Sequence, residues 1–561
     1  MPSLPTVPRR RLRPIADVAA EVGLPADLVI PWGPHRAKVD LAALVGRPPT
    51  GRLVLVSAIT PTPAGVGKTT VAISLAMGMR RRGGQVVVAL REPSLGPVFG
   101  IKGGGTGGGA ATIEPADDIN LHFTGDLHAV TSAHNLLSAL VDNTLQHRLP
   151  IGLDPRQVTW PRAVDMNDRA LRSVVIGLGG VADGVPRESS FQITAASEVM
   201  AVLCLARDLP DLQERLGRMV VGWTPDSDPV TADDVGAAPA MAALLRDALM
   251  PNLVQTTEGG PALVHGGPFA NIAHGTSSMI ATRLALASGS DVITEAGFGF
   301  DLGAEKFLDI ACPAAGIWPR AVVLVATLRA LRCHGGAAPG WASRPDTAAI
   351  AAGLPQLAHH VATARSYGLP TVVALNAFPD DAADEITLVR AWCAEHGVPM
   401  AACTGFAEGS GGALELADAV SAVLAGTDAD LPAPWHPYAP TDPYADKIAA
   451  VARHCYGTQR VDVSRRAEAE LARITAAIGT GLPVCIAKTH LSLTDDPTVR
   501  GVPIGFPITV RDARLSAGAG FVVAGTGLIV TMPGLPREPA AMHVRVRPDG
   551  SIAGLMSGEH A

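Results

Sequence analysis

The chain has 561 residues, of which 47% are apolar and 17% charged, and its formal net charge is −7. This length is several times what one hydrophobic core holds, and the apolar share is enough to offset the entropy of ordering the chain, so two to four folded domains are expected and predominant disorder is disfavoured. The acidic balance, with no block of Lys and Arg, argues against a nucleic-acid partner.

The first segment contains the basic run Arg9-Arg10-Arg11-Leu12-Arg13, but no apolar stretch follows that would make a secretory signal core, so a cytoplasmic location is expected. Apolar runs elsewhere fall short of the roughly 20 residues that cross a bilayer, and no membrane partner is expected. The seven cysteines lie far apart without C-x-x-C spacing and read as reduced, buried thiols. Six of the 45 basic residues are lysines: Lys38, Lys68, Lys102, Lys306, Lys447 and Lys488. Where arginine has taken nearly every generic cationic position, the remaining lysines are expected where a compact ammonium is required.

Taken in chain order, residues 53–59 form an apolar, β-branched run that reads as a buried strand. It leads into Thr62-Pro63-Ala64-Gly65-Val66-Gly67-Lys68-Thr69-Thr70 and a helix beginning near Gly67, carrying Val71, Ile73, Leu75, Ala76 and Met79, and ending over residues 80–84. A second strand is predicted over residues 86–90, followed by Arg91-Glu92-Pro93 and then by Lys102-Gly103-Gly104-Gly105-Thr106-Gly107-Gly108-Gly109. That glycine run reads either as a flexible linker or as a loop covering a ligand. The histidines of residues 121–128 and 265–275 have no metal-ligand spacing. Further strands are predicted over 321–326, 371–375 and 483–487. The alternation predicts an α/β fold, P-loop-containing, with a mainly parallel sheet core and two smaller additional domains. Stretches rich in Gly, Ala and Pro at 333–344 and in Pro at 431–443 set the expected divisions at 1–332, 333–442 and 443–561.

A glycine loop between a buried strand and a helix suits phosphate. Its glycines let backbone N–H groups face the anion, and the helix N-terminus adds positive potential. Lys68 is expected to reach the β and γ phosphates and the Thr69 hydroxyl to bind magnesium. Thr62 stands where the strict pattern has glycine, so the loop is a variant. In a parallel sheet, ligands gather beyond the carboxyl ends of the strands, so Arg91 and Glu92 should share a crevice with Lys68, where Arg91 is suited to clamp a carboxylate or acyl phosphate. There is no G-x-S-x-G elbow, which disfavours covalent hydrolase chemistry.

Taken together, residues 59–70, 91–104, 118–126, 164–171, 196–206, 251–275, 295–309 and 516–536 resemble the formate tetrahydrofolate ligase family, with Val164-Asp165-Met166-Asn167-Asp168-Arg169-Ala170-Leu171 the most specific segment. The resemblance implies that ATP phosphorylates formate to formyl phosphate, whose carbon is attacked by N10 of tetrahydrofolate to give 10-formyltetrahydrofolate, ADP and phosphate. It implies catalytic roles for Lys68, Arg91, Glu92 and Lys102, ATP contacts from Thr62 to Thr70, and folate contacts from Phe378, Phe406 and Phe298. It further implies magnesium held through Thr69, activation by a monovalent cation, and a homotetramer. Phe406 stands where the family usually has Trp, and the smaller ring offers less stacking area. Other departures are Val66 for a glutamate, Ala110 for a tyrosine, Thr276 and Ser277 for a Cys-Asn pair, Phe300 for a small residue, Ala377 for a basic residue and Leu491 for an aromatic. The phosphate-handling residues are kept while the changes gather on the expected folate side. That pattern leaves open a related ligase with another acceptor, or a P-loop ATPase without ligation.

Overall fold

A computed structural model describes residues 12–555 except 64, 103, 339, 428–433 and 528, and it describes the backbone but not the side chains of Ile101 and Lys102. Ten strands form the main path of one large sheet: β1 Val29–Pro31, β2 Ala37–Val39, β3 Leu53–Ala58, β4 Val86–Leu90, β5 Asn252–Thr256, β6 Pro261–Val264, β7 Asp291–Glu295, β8 Ala321–Ala326, β9 Thr371–Asn376 and β10 Met400–Cys403. Their spatial order is β1-β2-β5-β6-β4-β7-β3-β8-β9-β10. From β6 across to β10 every neighbouring pair is parallel, whereas the β1-β2-β5-β6 edge is antiparallel.

The central strands β3, β4, β8 and β9 are buried along their whole length. Runs such as Leu53-Val54-Leu55-Val56 are apolar on both faces because helices cover both sides of a parallel sheet, and alternation is not required of them. The helix Lys68–Arg81 follows β3 and buries Val71 to Met79 without interruption, which the predicted apolar positions had indicated. It stops at Arg82-Gly83, where Gly83 adopts φ +92°.

The run at residues 483–487 forms the strand Val484–Ala487 in a separate four-stranded sheet that lies within the expected division 443–561, ordered Arg460–Val463, Pro507–Ser516, Phe521–Thr526, Val484–Ala487. A short apolar strand carries no signal of which sheet it will join. The division expected near Cys333 falls between β8 and β9, which pair from Val322 opposite Thr371 to Ala326 opposite Leu375, so the large sheet is continuous across it. No helix among the described residues is long and apolar enough to cross a membrane.

The C-terminal sheet is fastened to the larger body by a carboxylate. Glu198 opens the helix Glu198–Leu205, and its Oε1 accepts from the backbone N–H groups of Gly518 and Ala519, at 2.9 and 3.2 Å, in the turn between the two antiparallel strands. Burial raises the Glu198 carboxyl to about 7, against the pull of these two donors and of Arg514. A carboxyl whose pKa is higher folded than unfolded gives stability that is present at pH below about 4.5 and lost as pH rises through about 7. Glu198→Gln should therefore remove a pH-dependent component of up to about 3 kcal/mol between pH 5 and 8. Thermal unfolding of the two proteins across that range should show a flatter pH profile for the variant, and parallel profiles would refute the assignment.

Candidate active site

The loop after β3 is held at its root by three side chains from elsewhere in the fold. Thr60 donates its backbone N–H to His360 Nε2 at 2.9 Å, which leaves the ring proton on Nδ1. Its hydroxyl accepts from Gln356 Nε2 at 2.8 Å. His334 Nδ1 accepts from the backbone N–H of Gly501 at 3.2 Å, so Nε2 carries the proton and donates to the Thr60 carbonyl at 2.8 Å. Burial pushes His360 down to about 3 and His334 below its ordinary value, so both rings are neutral near pH 7.

Beyond this root the chain turns through Gly65 at φ +73° and Gly67 at φ +75° before the helix begins at Lys68. Gly67 is required twice over, because a Cβ there would also lie 2.4 Å from Asn376 Nδ2. Asn376, the last residue of β9, uses that amide to donate to the Val66 carbonyl at 3.1 Å. Val66 itself is buried, with its side chain in the core. The usual glutamate is thus replaced by a residue that packs inward. Thr62 is buried with its hydroxyl unpartnered, and Ala64 lies outside the described residues.

Thr69 and Arg91 meet at Glu295, a residue that sequence reasoning did not single out. Glu295 ends β7, between β4 and β3, and is buried. Its Oε2 accepts from the Thr69 hydroxyl at 2.8 Å, and its Oε1 lies 3.7 Å from an Arg91 guanidinium nitrogen. Arg91 also donates to the Pro268 carbonyl at 3.4 Å. Glu92, the next residue, has different neighbours: burial first, then the Asp126 and Asp165 charges, push its carboxyl well above the usual range against the opposing pull of Lys38. Asp126 in turn accepts from Lys38 Nζ at 2.7 Å and from Asn252 Nδ2 at 2.8 Å. Arg91 and Glu92 therefore belong to adjoining clusters. The side chain of Lys102 lies outside the described residues, and its backbone ends the turn Val98–Lys102.

The glycine run is packed. Gly107–Gly108 and Ala111–Glu114 form a hairpin, and a Cβ on Gly108 would lie 3.0 Å from the Phe406 ring. Gly109 has φ +60°, where a Cβ would strike the Phe406 carbonyl. The Phe406 carbonyl also accepts from the Ala110 N–H at 2.7 Å. Phe406 and Phe378 are each 39% exposed. Arg329 lies over the Phe378 ring at 5.9 Å. Phe298, at φ +59°, stacks on His490 with centroids 4.3 Å apart.

Among the departures from the family pattern, Phe300 is fully buried and packs against Tyr367, and Thr276 and Ser277 are also buried. Ala110, Ala377 and Leu491 remain partly exposed, as does Phe406. The changes gathered by sequence on one side thus divide between core packing and accessible surface. Gly67→Ala should lower ATP turnover at least about tenfold, because it adds both left-handed strain and a clash with Asn376. ADP release would measure this, with a thermal transition within a few degrees of the parent showing that the fold is kept. Unchanged turnover would mean that the loop does not work in this conformation.

The family model described as Formate--tetrahydrofolate ligase matches residues 6–556. Similar proteins named formate--tetrahydrofolate ligase include one from Myxococcus xanthus, 60% identical over 549 residues and covering 98% of this chain and 100% of the relative. Another, from Acidiphilium cryptum, is 53% identical over 549 residues, covering 97% and 98% of the two chains. A third, from Paracoccus denitrificans, is 53% identical over 546 residues and covers 97% of each. With a family model spanning nearly every residue and relatives at this identity over full length, the chain belongs to the formate--tetrahydrofolate ligase family.

Proposed function

We propose that this chain joins formate to tetrahydrofolate at the expense of ATP, through formyl phosphate, with the loop around Lys68 as a P-loop and the exposed rings of Phe378 and Phe406 as the pterin clamp. The observation that carries the reading is the convergence of Thr69 and Arg91 on Glu295, beside a helix N-terminus. It unites phosphate-binding and carboxylate-binding groups at one edge of the sheet. ATP is bound over Thr62 to Thr70, where backbone N–H groups and Lys68 neutralise the phosphates.

Arg91 orients formate and then balances the charge of the acyl phosphate. Phosphoryl transfer needs in-line positioning and charge neutralisation, and no protein nucleophile is required. Lys102 keeps the catalytic role that the resemblance implies, while Glu92 belongs to the adjoining cluster with Asp126. Thr69 would hold magnesium through its hydroxyl, and the ion would supply charge neutralisation at the nucleotide's phosphates. Phe298 completes the folate side. In this reading, residues 1–332 supply the nucleotide and formyl-phosphate site, 333–442 contribute to the folate site and 443–561 form a C-terminal α/β segment. A monovalent cation activator, a homotetrameric assembly and a cytoplasmic setting belong to the same reading.

Lys68→Ala should lower turnover at least about 100-fold while leaving the protein folded. Retention of most activity would remove Lys68 from the site. Phe406→Trp should lower the KM for tetrahydrofolate by roughly two- to tenfold through added stacking area, whereas an unchanged or raised KM would show that Phe406 does not touch the pterin. The reaction itself is tested by ADP release with Mg-ATP and formate, with and without tetrahydrofolate. Formylated product and dependence on tetrahydrofolate are expected. Turnover that needs the carboxylate but not the folate would mean that the exposed changes at Ala110, Ala377, Phe406 and Leu491 serve another acceptor.

A further inference from the structure

We propose that Glu295 is the carboxylate that holds the nucleotide's magnesium together with Thr69, and that in the free enzyme its charge is kept by Arg91. The inference rests on the nucleotide site proposed above and adds a residue to it. Glu295 is the last residue of β7, the strand beside β3, and it pairs opposite Val56. The loop and helix that follow β3 therefore bring the Thr69 hydroxyl back to the tip of the neighbouring strand. An acidic side chain at such a tip, beside the hydroxyl at the start of the loop's helix, is the arrangement in which phosphate-binding loops share a metal.

The measured spacing suits that role. Thr69 Oγ1 and Glu295 Oε2 are 2.8 Å apart. Two neighbouring ligands of an octahedral magnesium at 2.0–2.1 Å must themselves be about 2.9 Å apart. Both atoms are hard oxygens, as magnesium requires. With two protein oxygens as ligands, the rest of an octahedral shell would be phosphate oxygens and water, the usual condition of nucleotide-bound magnesium.

Burial supplies the second half of the argument. Glu295 is 4% exposed, and a buried carboxylate needs a cationic counterpart. The Arg91 guanidinium stands at 3.7 Å, beyond hydrogen-bond length, so it balances charge without a tight pairing. Arrival of a divalent cation would take over that balance and leave Arg91 to the carboxylate substrate. Nucleotide binding is thereby linked to preparation of the formate clamp.

The test is equilibrium titration of ADP into the full-length protein, with excess Mg²⁺ and separately with EDTA. Glu295→Gln keeps the shape and a hydrogen-bond acceptor for Thr69 but loses the charge. Wild type should bind ADP at least about tenfold more tightly with magnesium. The variant should bind metal-free ADP within about twofold of wild type yet lose most of the magnesium-dependent gain. A variant that keeps the full gain overturns the proposal and leaves Glu295 as a positioning partner of Arg91. If Glu295→Gln does not fold, Glu295→Asp carries the same test: a carboxylate drawn back by one methylene should reduce the gain, and a gain equal to wild type overturns the proposal. Absence of ADP binding in wild type, or wild-type binding by Lys68→Ala, would instead remove the nucleotide site itself.

Discussion

Parallel pairing among β3, β4 and β7 is the constraint on which the site depends. Thr294 lies opposite Ala89 and Glu295 opposite Val56, so the three strands end at the same edge of the sheet. The chain leaves that edge three times, at Thr60, at Arg91 and at Ala296. Because side chains alternate along a strand, a slip of one residue in β7 would turn Glu295 to the other face and separate it from both Thr69 and Arg91. The apolar runs of these strands thus set more than stability. Their register decides which polar residues meet.

The few lysines show what a compact ammonium does that a guanidinium does not. Lys38, Lys306, Lys447 and Lys488 are all at most 1% exposed. Lys447 Nζ donates to the carbonyls of Pro440, Thr480 and Leu482, and Lys306 Nζ to that of Ala270. Lys38 is shared between Asp126 and the Met250 carbonyl. Three tetrahedral donors on one nitrogen fit such small cages of oxygen, and a planar five-donor fork would leave some of its N–H groups buried and unmatched. This is a physical reason for lysine to survive there in a chain that otherwise uses arginine.

The C-terminal segment reaches the root of the loop after β3 by one route and residues 298–301 by two others. Gly501 acts through His334 on Thr60, His490 stacks on Phe298, and Lys488 Nζ pairs with Asp301 at 2.9 Å in full burial. A buried pair of this kind is weak support for stability, since desolvation offsets most of the attraction. Its effect here is positional: Lys488 Nζ also donates to the carbonyls of Thr489 and Ser492, so the loop from Lys488 to Ser492 is tied to Asp301. The partly exposed Leu491 sits within that loop, which connects an accessible departure from the family pattern to the root of the phosphate site.

Sequence alone determined the strand-loop-helix around Lys68, because glycine placement, a buried β-branched run and helical apolar spacing are local properties read within about 30 residues. It also identified the family, since Val164 to Leu171 and the other quoted segments are specific without any geometry. It could not show that β8 and β9 pair across the Gly- and Pro-rich stretch near Cys333, because strand pairing is set by contacts distant in the chain. Phe300 gave no sign that it fills the core beside Tyr367. Glu295, His334 and Asn376 were likewise hidden as site residues: each gains its role from a partner more than 200 residues away, at Thr69, Thr60 and Val66. Tertiary structure alone decided those meetings, since hydrogen bonds act over about 3 Å and only the assembled fold brings such residues within that reach.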